Sequence, residues 1–437
     1  MFALGSLAGC SDTLRDRSLK APSVNGWPSV HYDGHNTNHN PHADPPTDEP
    51  KVAWRIEGHS WNSAPAKTTY RLSNATPVIA GGRVYVGGQG VTCYDTRTGE
   101  QLWKRENGNR FVVGLAVLHG QVHAVERASG RSTSGDPKGF LSVIDAATGE
   151  HTRTVRCGAR TFAPTTDGDL IVVPTRRGQI GFDSAGNRQW RVADGTPRIP
   201  PGPAAISDDS VYLSASGEFG RYSRRSDPIT GTTVDSRWSV DSGLRRRWHP
   251  PTVTDECVLA PLVQLAQDLP EAGGVQEGLH AYGRDGRRRW HLPVPTAWMS
   301  GDESREQFIC RVSSPAVADG VGYVTSTRLS LEGGTVTSTD TTLQAFDTTS
   351  GDERWRATFP GEGSDAVSPV VADGRVYAVV PDSGTRGGET SRLVAYGRHG
   401  DRSWSVDVPG TGFHLAVSGE TLYVALRGGR IVAYRSR

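Results

Sequence analysis

The chain lacks the features expected of a membrane-spanning or nucleic-acid-binding protein. It contains no run of 18 apolar residues, so no transmembrane helix is expected. Its 48 basic residues are balanced by 47 acidic ones, which leaves a formal net charge of +1. A general nucleic-acid-binding surface requires an excess of basic residues, so this balance argues against one.

Helical periodicity and paired cysteines are also missing. No stretch of 12 residues shows a convincing helical pattern of apolar positions. The five cysteines, at positions 10, 93, 157, 257 and 310, include no Cys-x-x-Cys pair. The sequence alone does not establish whether any two of them form a disulfide.

What the chain does contain is one phrase repeated seven times between Thr76 and Trp404. An eighth copy, starting near Leu415, ends after Tyr434 without a final Trp. In its clearest form the phrase has five parts, which in the first copy are Thr76-Pro77, Gly82–Val86, Val91–Asp95, Thr98-Gly99 and Trp103. Most steps from one repeat Trp to the next are 48 to 52 residues. Self-similarity at such a period indicates a repeat architecture.

Each repeat predicts four short antiparallel strands, because it holds four runs of alternating apolar residues separated by Gly, Asp, Asn or Pro. Four-stranded units repeated around an axis form a β-propeller. We therefore expect an all-β, eight-bladed propeller as a single domain over residues 26–437. Two copies depart from the phrase: Arg153 replaces the Trp in the second, and Trp238 is displaced in the fourth.

The strand that the eighth repeat lacks is found at the start of the chain. Residues 51–56 read as a strand, and Trp54 lies four residues after Pro50, as the repeat Trp lies four residues after Gly. We expect this strand to complete blade eight as its outer strand. Such closure protects strand edges that a linear array would expose.

The first residues resemble a lipoprotein signal. Leu7-Ala8-Gly9-Cys10 is similar to a lipobox, in which the cysteine is lipidated. We interpret residues 1–25 as a truncated signal followed by a polar tether. This interpretation predicts an exported protein, anchored at the cell surface or envelope by a lipid on Cys10 alone. The alternative is a chance match in which Cys10 is a free or buried cysteine.

The repeated phrase, with Ala-x-Asp, Thr-Gly and Trp at fixed spacing, resembles that of the PQQ-like (quinoprotein alcohol dehydrogenase-like) eight-bladed propellers. The segment from Trp27 to Pro41 also resembles the start of exported members. The resemblance covers about residues 26–437. It implies that the repeat tryptophans dock between neighbouring blades: Trp54, Trp103, Trp190, Trp238, Trp290, Trp355 and Trp404.

The family contains enzymes and non-enzymes. Its quinoprotein dehydrogenases have adjacent cysteines over the quinone, and Glu, Asn and Asp ligands for Ca²⁺. This chain has no Cys-Cys dipeptide and no Cys-x-x-Cys-His haem motif, and the calcium ligands cannot be placed on it. We therefore expect neither PQQ nor calcium, and no catalytic residues.

The non-enzymatic branch includes the outer-membrane assembly lipoprotein of Gram-negative bacteria, which resembles this chain in size, blade number and lipobox. The resemblance implies a monomeric, non-catalytic scaffold that binds a protein or cell-surface partner. Two alternatives stay open: a PQQ-dependent dehydrogenase with altered ligands, and a polysaccharide or small-ligand binder that uses the central channel.

Two sets of residues look functional but have simpler interpretations. The segment His31–His42 contains four histidines that would suit a metal site, although its Asn, Gly and Pro content favours a loop packed under the propeller. The aspartates at the Thr-Gly turns are expected to accept hydrogen bonds from turn amides rather than to catalyse: Asp95, Asp145, Asp183, Asp227 and Asp347.

Departures from the repeat are better candidates for a partner surface, since loops on rigid scaffolds carry binding. Four insertions lie between the second and third strands of repeats two, five, six and seven, so they should emerge on one face. Their candidate partner residues are Arg127, Arg131, Lys138, Asp268, Glu271, Arg328, Glu332 and Arg386.

Overall fold

The computed structural model describes most of the repeat region. The described residues are 26–57, 76–128, 138–158, 160–193, 202–214, 217–227, 231–242, 246–264, 277–293, 307–332, 335–361, 366–381 and 390–436. Five residues singled out above lie outside these ranges: Cys10, Arg131, Asp268, Glu271 and Arg386.

Within the described ranges every regular element is a β-strand. Blade 1 comprises β2 (Val78–Ala80), β3 (Arg83–Gly87), β4 (Gly90–Asp95) and β5 (Gln101–Glu106). Blade 2 comprises β6 (Arg110–Leu118), β7 (Gln121–Ala128), β8 (Gly139–Asp145) and β9 (His151–Arg156). Blade 3 comprises β10 (Thr165–Thr166), β11 (Ile171–Thr175), β12 (Gly178–Phe182) and β13 (Arg188–Ala193). Blade 4 comprises β14 (Ala205–Ser207), β15 (Ser210–Ser214), β16 (Glu218–Asp227) and β17 (Gly231–Asp241).

The inner strand is split in two in blades 5 and 6. Blade 5 comprises β18 (Arg246–Trp248), β19 (Thr252–Val253), β20 (Val258–Gln264), β21 (Gly278–Tyr282) and β22 (Arg288–Pro293). Blade 6 comprises β23 (Gln307–Val312), β24 (Ala316–Ala318), β25 (Val321–Glu332), β26 (Thr335–Asp347) and β27 (Glu353–Gly361). Blade 7 comprises β28 (Val370–Ala372), β29 (Arg375–Pro381), β30 (Ser391–Gly397) and β31 (Arg402–Val408). Blade 8 comprises β32 (Gly412–Ser418), β33 (Thr421–Leu426), β34 (Arg430–Arg435) and β1 (Lys51–Ile56).

All strands pair antiparallel, in chain order from the inner to the outer edge in blades 1 to 7 and in the order β32, β33, β34, β1 in blade 8. The predicted all-β, eight-bladed propeller is therefore confirmed. Antiparallel pairing also defines two faces of the ring. The turn face carries the connections between first and second and between third and fourth strands, such as residues 81–82 and 96–100. The loop face carries the connections between second and third strands and between blades, such as residues 88–89 and 107–109.

The first strand of the chain closes the ring. β1 pairs with β34, with Val52 opposite Tyr434 and Trp54 opposite Ala433. The β-bulge between Val52 and Trp54 recurs in the outermost strand pair of every other blade, as between Cys93 and Tyr94 of blade 1. β1 thus occupies the place that the sequence predicts for it.

The repeat tryptophans bridge neighbouring blades. Trp54 of blade 8 lies against Gly99 of blade 1, and its Nε1 donates a hydrogen bond to the Thr96 carbonyl at 2.9 Å. A side-chain carbon added to Gly99 would lie 2.8 Å from Cδ2 of Trp54, and the φ angle of Gly99 is 75°. Only glycine meets both conditions without strain. The same contact joins four other blade pairs through Trp103, Trp238, Trp290 and Trp355. Trp404 differs, because its Nε1 donates to the Pro46 carbonyl, which precedes β1.

Most turn aspartates are structural, as expected. Asp95 accepts hydrogen bonds from the amides of Arg97 and Thr98 at 2.8 and 2.9 Å, and the same bonds form at Asp145 and Asp347. The backbone hydrogen bond from Thr98 is the main cause of the lowered pKa of Asp95.

Asp227 does not occupy the repeat position of the other turn aspartates. Trp238 pairs with Arg221, which is the register of the other repeat tryptophans, so Trp238 is not displaced in space. The turn position in blade 4 therefore falls near Ser223, and Asp227 pairs with Gly231 at the end of an extended hairpin. The sequence insertion lengthens both strands equally, which makes the Trp look displaced along the chain.

Replacing Trp54 by Ala tests the closure. The side chain is 8% exposed, and its loss should lower the free energy of unfolding by about 3 kcal/mol or more. Chemical denaturation checks this, with Leu102→Ala as control because Leu102 is 48% exposed. The control should change stability by less than about 0.5 kcal/mol. Equal effects of the two substitutions would contradict closure through β1.

Candidate functional site

The middle of the ring is filled by the chain's own residues 26–44, which we call the central segment. It contacts the inner strand of every blade. Trp27 exchanges two backbone hydrogen bonds with Ile79 of blade 1. Inner-strand amides of five other blades donate to carbonyls of the segment at 2.6–2.9 Å: Val117 to Pro28, Ile206 to Gly34, Val253 to His35, Val317 to Thr37 and Val371 to Asn38. In blade 8 the Gly419 carbonyl accepts from Asp44, and in blade 3 Gly34 lies against Asp167.

Three asparagines add side-chain bonds between the segment and the blades. Asn36 Nδ2 donates to the carbonyls of Ala204 and Pro251, so it joins blades 4 and 5. Asn38 Nδ2 donates to Pro315 of blade 6, and Asn40 Nδ2 donates to Val417 of blade 8. All three side chains are at most 1% exposed. Unpaired buried amides and carbonyls are costly, so these contacts give the inner edges of the blades the partners they would otherwise lack.

One histidine of the central segment is bonded within the segment itself. His31 Nδ1 is hydrogen-bonded to Asn38 Oδ1 at 3.1 Å, inside the segment. No group of three or more His, Cys, Asp or Glu side chains within the described residues is arranged to hold a metal ion. The segment packs in the ring as a loop, in line with the interpretation favoured from its composition.

A cavity of about 880 Å³ opens beside the segment on the turn face, next to blades 1 to 3. Tyr32, Asp33 and His35 of the segment line it, together with Arg83 and Asp167 from the blades. Asp33 accepts hydrogen bonds from the Thr37 amide and hydroxyl at 2.9 and 2.8 Å, and burial raises the pKa of its carboxyl. Tyr32 is 2% exposed, and neither its hydroxyl nor His35 Nε2 has a hydrogen-bond partner among the described residues.

Buried histidines also surround the segment. His249 of blade 5 and His414 of blade 8 each interact electrostatically with His31. Burial lowers the pKa of His414 and of His249 to about 3, and that of His31 to about 4. All three imidazoles are therefore neutral at pH 7, and charging them is costly inside the ring.

The loop-face candidates divide into buried, exposed and undescribed residues. Arg127 was expected in a loop, but it lies in β7 and is 5% exposed. Its Nε donates to the Thr161 carbonyl at 2.6 Å, and its guanidinium covers the Phe162 ring at 4.7 Å. Arg127 thus joins blades 2 and 3 and is not a surface residue. Lys138 is exposed at the edge of the described residues.

The insertion of repeat six is a strand extension rather than a loop. Arg328 and Glu332 both lie in β25, which is 12 residues long, whereas the equivalent strand β3 has 5 residues. β25 pairs with β26 up to Glu332 opposite Thr335. β23 pairs with β25, with Gln307 opposite Leu331, and the end of β27 pairs with β26, with Gly361 opposite Thr339. We call residues 307–312, 326–332, 335–342 and 358–361 the blade 6 extension. At about 3.3 Å per residue, the seven residues 326–332 make β25 roughly 20 Å longer than β3 on the loop face.

Comparison with known proteins identifies the family. The sequence matches the family model described as outer membrane protein assembly factor BamB over residues 51–139, 91–260 and 276–437. These matches cover most of the chain, which therefore belongs to this PQQ-like propeller family. A search of curated proteins gave no match.

Two solved structures have the same fold. The crystal structure of BamB from Moraxella catarrhalis is 15% identical, with a TM-score of 0.56, and the match covers 89% of this chain and 98% of that one. The computationally designed protein Ika8 is 12% identical, with a TM-score of 0.58, and the match covers 88% and 99% of the two chains. At such identities the likeness concerns the fold alone.

None of the described elements is a helix that would span a bilayer.

The buried histidines predict a pH-dependent stability. A histidine with a pKa near 6.5 when unfolded and about 3 when folded contributes its full stability above pH 6.5 and loses it as the pH falls toward 3. Replacing His414 by Gln should reduce the slope of unfolding free energy against pH by about 1.4 kcal/mol per pH unit between pH 6.5 and 4.5. Denaturant unfolding at several pH values measures the slope. The same substitution at the exposed His399 is the control, and an unchanged slope for His414→Gln would contradict the account.

Proposed function

We propose that this protein is a non-catalytic scaffold of the cell envelope that binds a protein partner on its loop face. Membership of a family described as an outer membrane protein assembly factor supports binding of proteins. The ring supports it physically, because its core is closed at the outer edge by β1 and at the centre by residues 26–44. A partner therefore meets a rigid surface and loses little conformational entropy on binding.

The blade 6 extension is the observation that carries the proposal. It stands beyond the ring as a sheet, with β27 at its outer margin and β23 at its inner margin. A projecting sheet with a free margin can bind an extended partner segment through main-chain hydrogen bonds. Arg328 and Glu332 lie within it, and Lys138 belongs to the same face.

We also propose that the protein works as a monomer, without PQQ or calcium. The amide nitrogens of Asn36, Asn38 and Asn40 are already bonded to blade carbonyls, so they are not free to hold a cofactor. The sequence has no Cys-Cys dipeptide to lie over a quinone. Dye reduction by the purified protein after incubation with PQQ and Ca²⁺ would overturn this part of the proposal.

Binding of a small ligand is a second candidate function. The cavity of about 880 Å³ favours it, because polar and charged residues such as Asp33, Arg83 and Asp167 line it. A polysaccharide threaded along the channel is less compatible, since the central segment fills the middle of the ring. A glycan array tests this candidate directly.

The partner surface is tested by photo-crosslinking in native cells. A benzoylphenylalanine at Ser338, in the blade 6 extension, should form a discrete adduct with one envelope protein, and one at the exposed Glu420 of the turn face should not. Thr327 and Thr341 are a cross-strand pair, so Asn-Gly can replace residues 328–340 as a hairpin turn. This shortened variant should lose the partner while remaining folded by circular dichroism. An adduct from Glu420 alone would contradict the proposed face.

The anchor is tested by lipid labelling. If Cys10 carries the lipid, cells fed an alkyne fatty acid should label the protein, and Cys10→Ser should abolish both the label and recovery in the membrane fraction. Ser11→Ala is the matched control and should keep both. Membrane recovery that survives Cys10→Ser would refute an anchor at this residue.

A further inference from the structure

The boundary between blades 2 and 3 lacks the tryptophan that joins other blades. At that place β9 carries Arg153, which pairs with Val143 in the register of the repeat tryptophans. In blade 1 the equivalent pair is Trp103 and Cys93. Nε1 of Trp103 donates to the Ala146 carbonyl, whereas the equivalent carbonyl of blade 3, Ser184, is hydrogen-bonded to His123 Nε2 at 2.9 Å. The backbone group is thus satisfied without an indole.

Blade 2 differs from the other blades at two positions: the repeat Trp itself and the residue that pairs with it. The residue opposite the repeat Trp is small in most blades, namely Cys93, Gly181, Ala281, Ala345, Ala395 and Ala433. In blade 2 it is Val143. A side-chain carbon added to Gly186 of blade 3 would lie 2.9 Å from Val143 Cγ2 and 3.8 Å from Arg153 Cδ. Val143 therefore covers the glycine that an indole covers elsewhere, and Arg153 extends outward.

A cleft of about 340 Å³ remains at this boundary, on the outer rim. Its floor is apolar, since Ile180 and Phe182 line it and are 3% and 1% exposed. Its rim is basic, since Arg153, Arg156, Arg188 and Arg191 also line it and all four are exposed.

These arginines have no acidic partner in the part of the chain that the structure describes. Arg153 donates to Asn187 Oδ1 of blade 3 and takes part in no ion pair there. The other three also form none with described residues, although arginines elsewhere do, such as Arg354 with Asp347 at 2.7 Å. Four like charges around one cleft repel each other, so an acidic occupant would be attracted to it.

We propose that this cleft is a docking site for an acidic segment of a partner protein that inserts one aromatic side chain. The aromatic ring would lie in the cleft between blades 2 and 3, against Ile180 and Phe182. Its acidic neighbours would pair with the four arginines. The guanidinium group suits both roles, because it stacks on aromatic rings and bonds carboxylates in a bidentate manner. This site lies on the rim and does not depend on the loop-face function.

A defined peptide tests the site. The probe is a fluorescein-labelled acetyl-Asp-Glu-Trp-Glu-Asp amide, and its control has Ala in place of Trp. By fluorescence anisotropy at low salt, the Trp peptide should bind at least about tenfold more tightly than the Ala peptide. Its affinity should fall as salt is raised, because the contacts with the arginines are screened.

Two variants locate the binding. Val143→Ala with Arg153→Trp rebuilds the small residue and Trp pair of the other blades, so it should fill the cleft, weaken peptide binding at least about tenfold and keep or raise the melting temperature. Arg156→Glu with Arg191→Glu should weaken binding by a similar factor at unchanged melting temperature, because both residues are exposed. Arg402→Glu, at an exposed outer-strand position of blade 7, is the control and should bind as the parent does.

Three results would overturn the proposal. They are equal binding of the Trp and Ala peptides, binding that survives both double variants, and no saturable binding up to millimolar peptide. Tight binding of a phosphate polymer without preference for the Trp peptide would also overturn it, by indicating a general anion site. Crosslinking at Ser338 is unaffected by any of these outcomes, so failure here leaves the loop-face function standing.

Discussion

The whole structure depends on one stretch of chain, residues 26–56, that closes the ring twice. Its last part, β1, supplies the missing outer strand of blade 8, with Trp54 opposite Ala433. Its first part lies in the centre and receives hydrogen bonds from inner-strand amides of successive blades, such as Ile206, Val253 and Val317. A propeller without such a segment leaves its inner strand edges unpaired or hydrated. Here inner-strand backbone groups at the centre are bonded to the central segment. The ring is therefore held at its axis as well as at the pair of β1 and β34 that closes it.

The repeat pattern explains assembly, and departures from it indicate where binding is expected. A Trp of one blade against a turn glycine of the next, as for Trp54 and Gly99, needs both residues at once. Where the pair is intact, the Trp and the Gly bury each other's surface, so neither is accessible to a partner protein. Where it is replaced, as by Val143 and Arg153, a basic cleft stays open. The blade 6 extension is the other large departure, and it changes the shape of the loop face without disturbing the core.

The repeat made the blade count, the strand order and the closure by β1 predictable, because each follows from local alternation and from spacing relative to Trp. The contacts of Asn36, Asn38 and Asn40 were not predictable, since each reaches blades that are hundreds of residues away and the segment has no repeat of its own. Alternating asparagines in an otherwise irregular segment were the available signal. The sequence did not place Asp227 and Arg127 correctly, and the reason is the same for both. An insertion between strands can extend the strands themselves, and sequence spacing does not distinguish such an extension from a loop.

Hydrogen exchange at the inner strands tests the double closure most directly. The amides of Val117, Ile206, Val253, Val317 and Val371 point to the axis and donate to the central segment. They should be protected as strongly as amides in the middle of the blades, and the triple variant Asn36→Ala, Asn38→Ala, Asn40→Ala should expose them selectively. Fast exchange of these amides in the unaltered protein, or full protection in the triple variant, would contradict a ring held at its centre by residues 26–44.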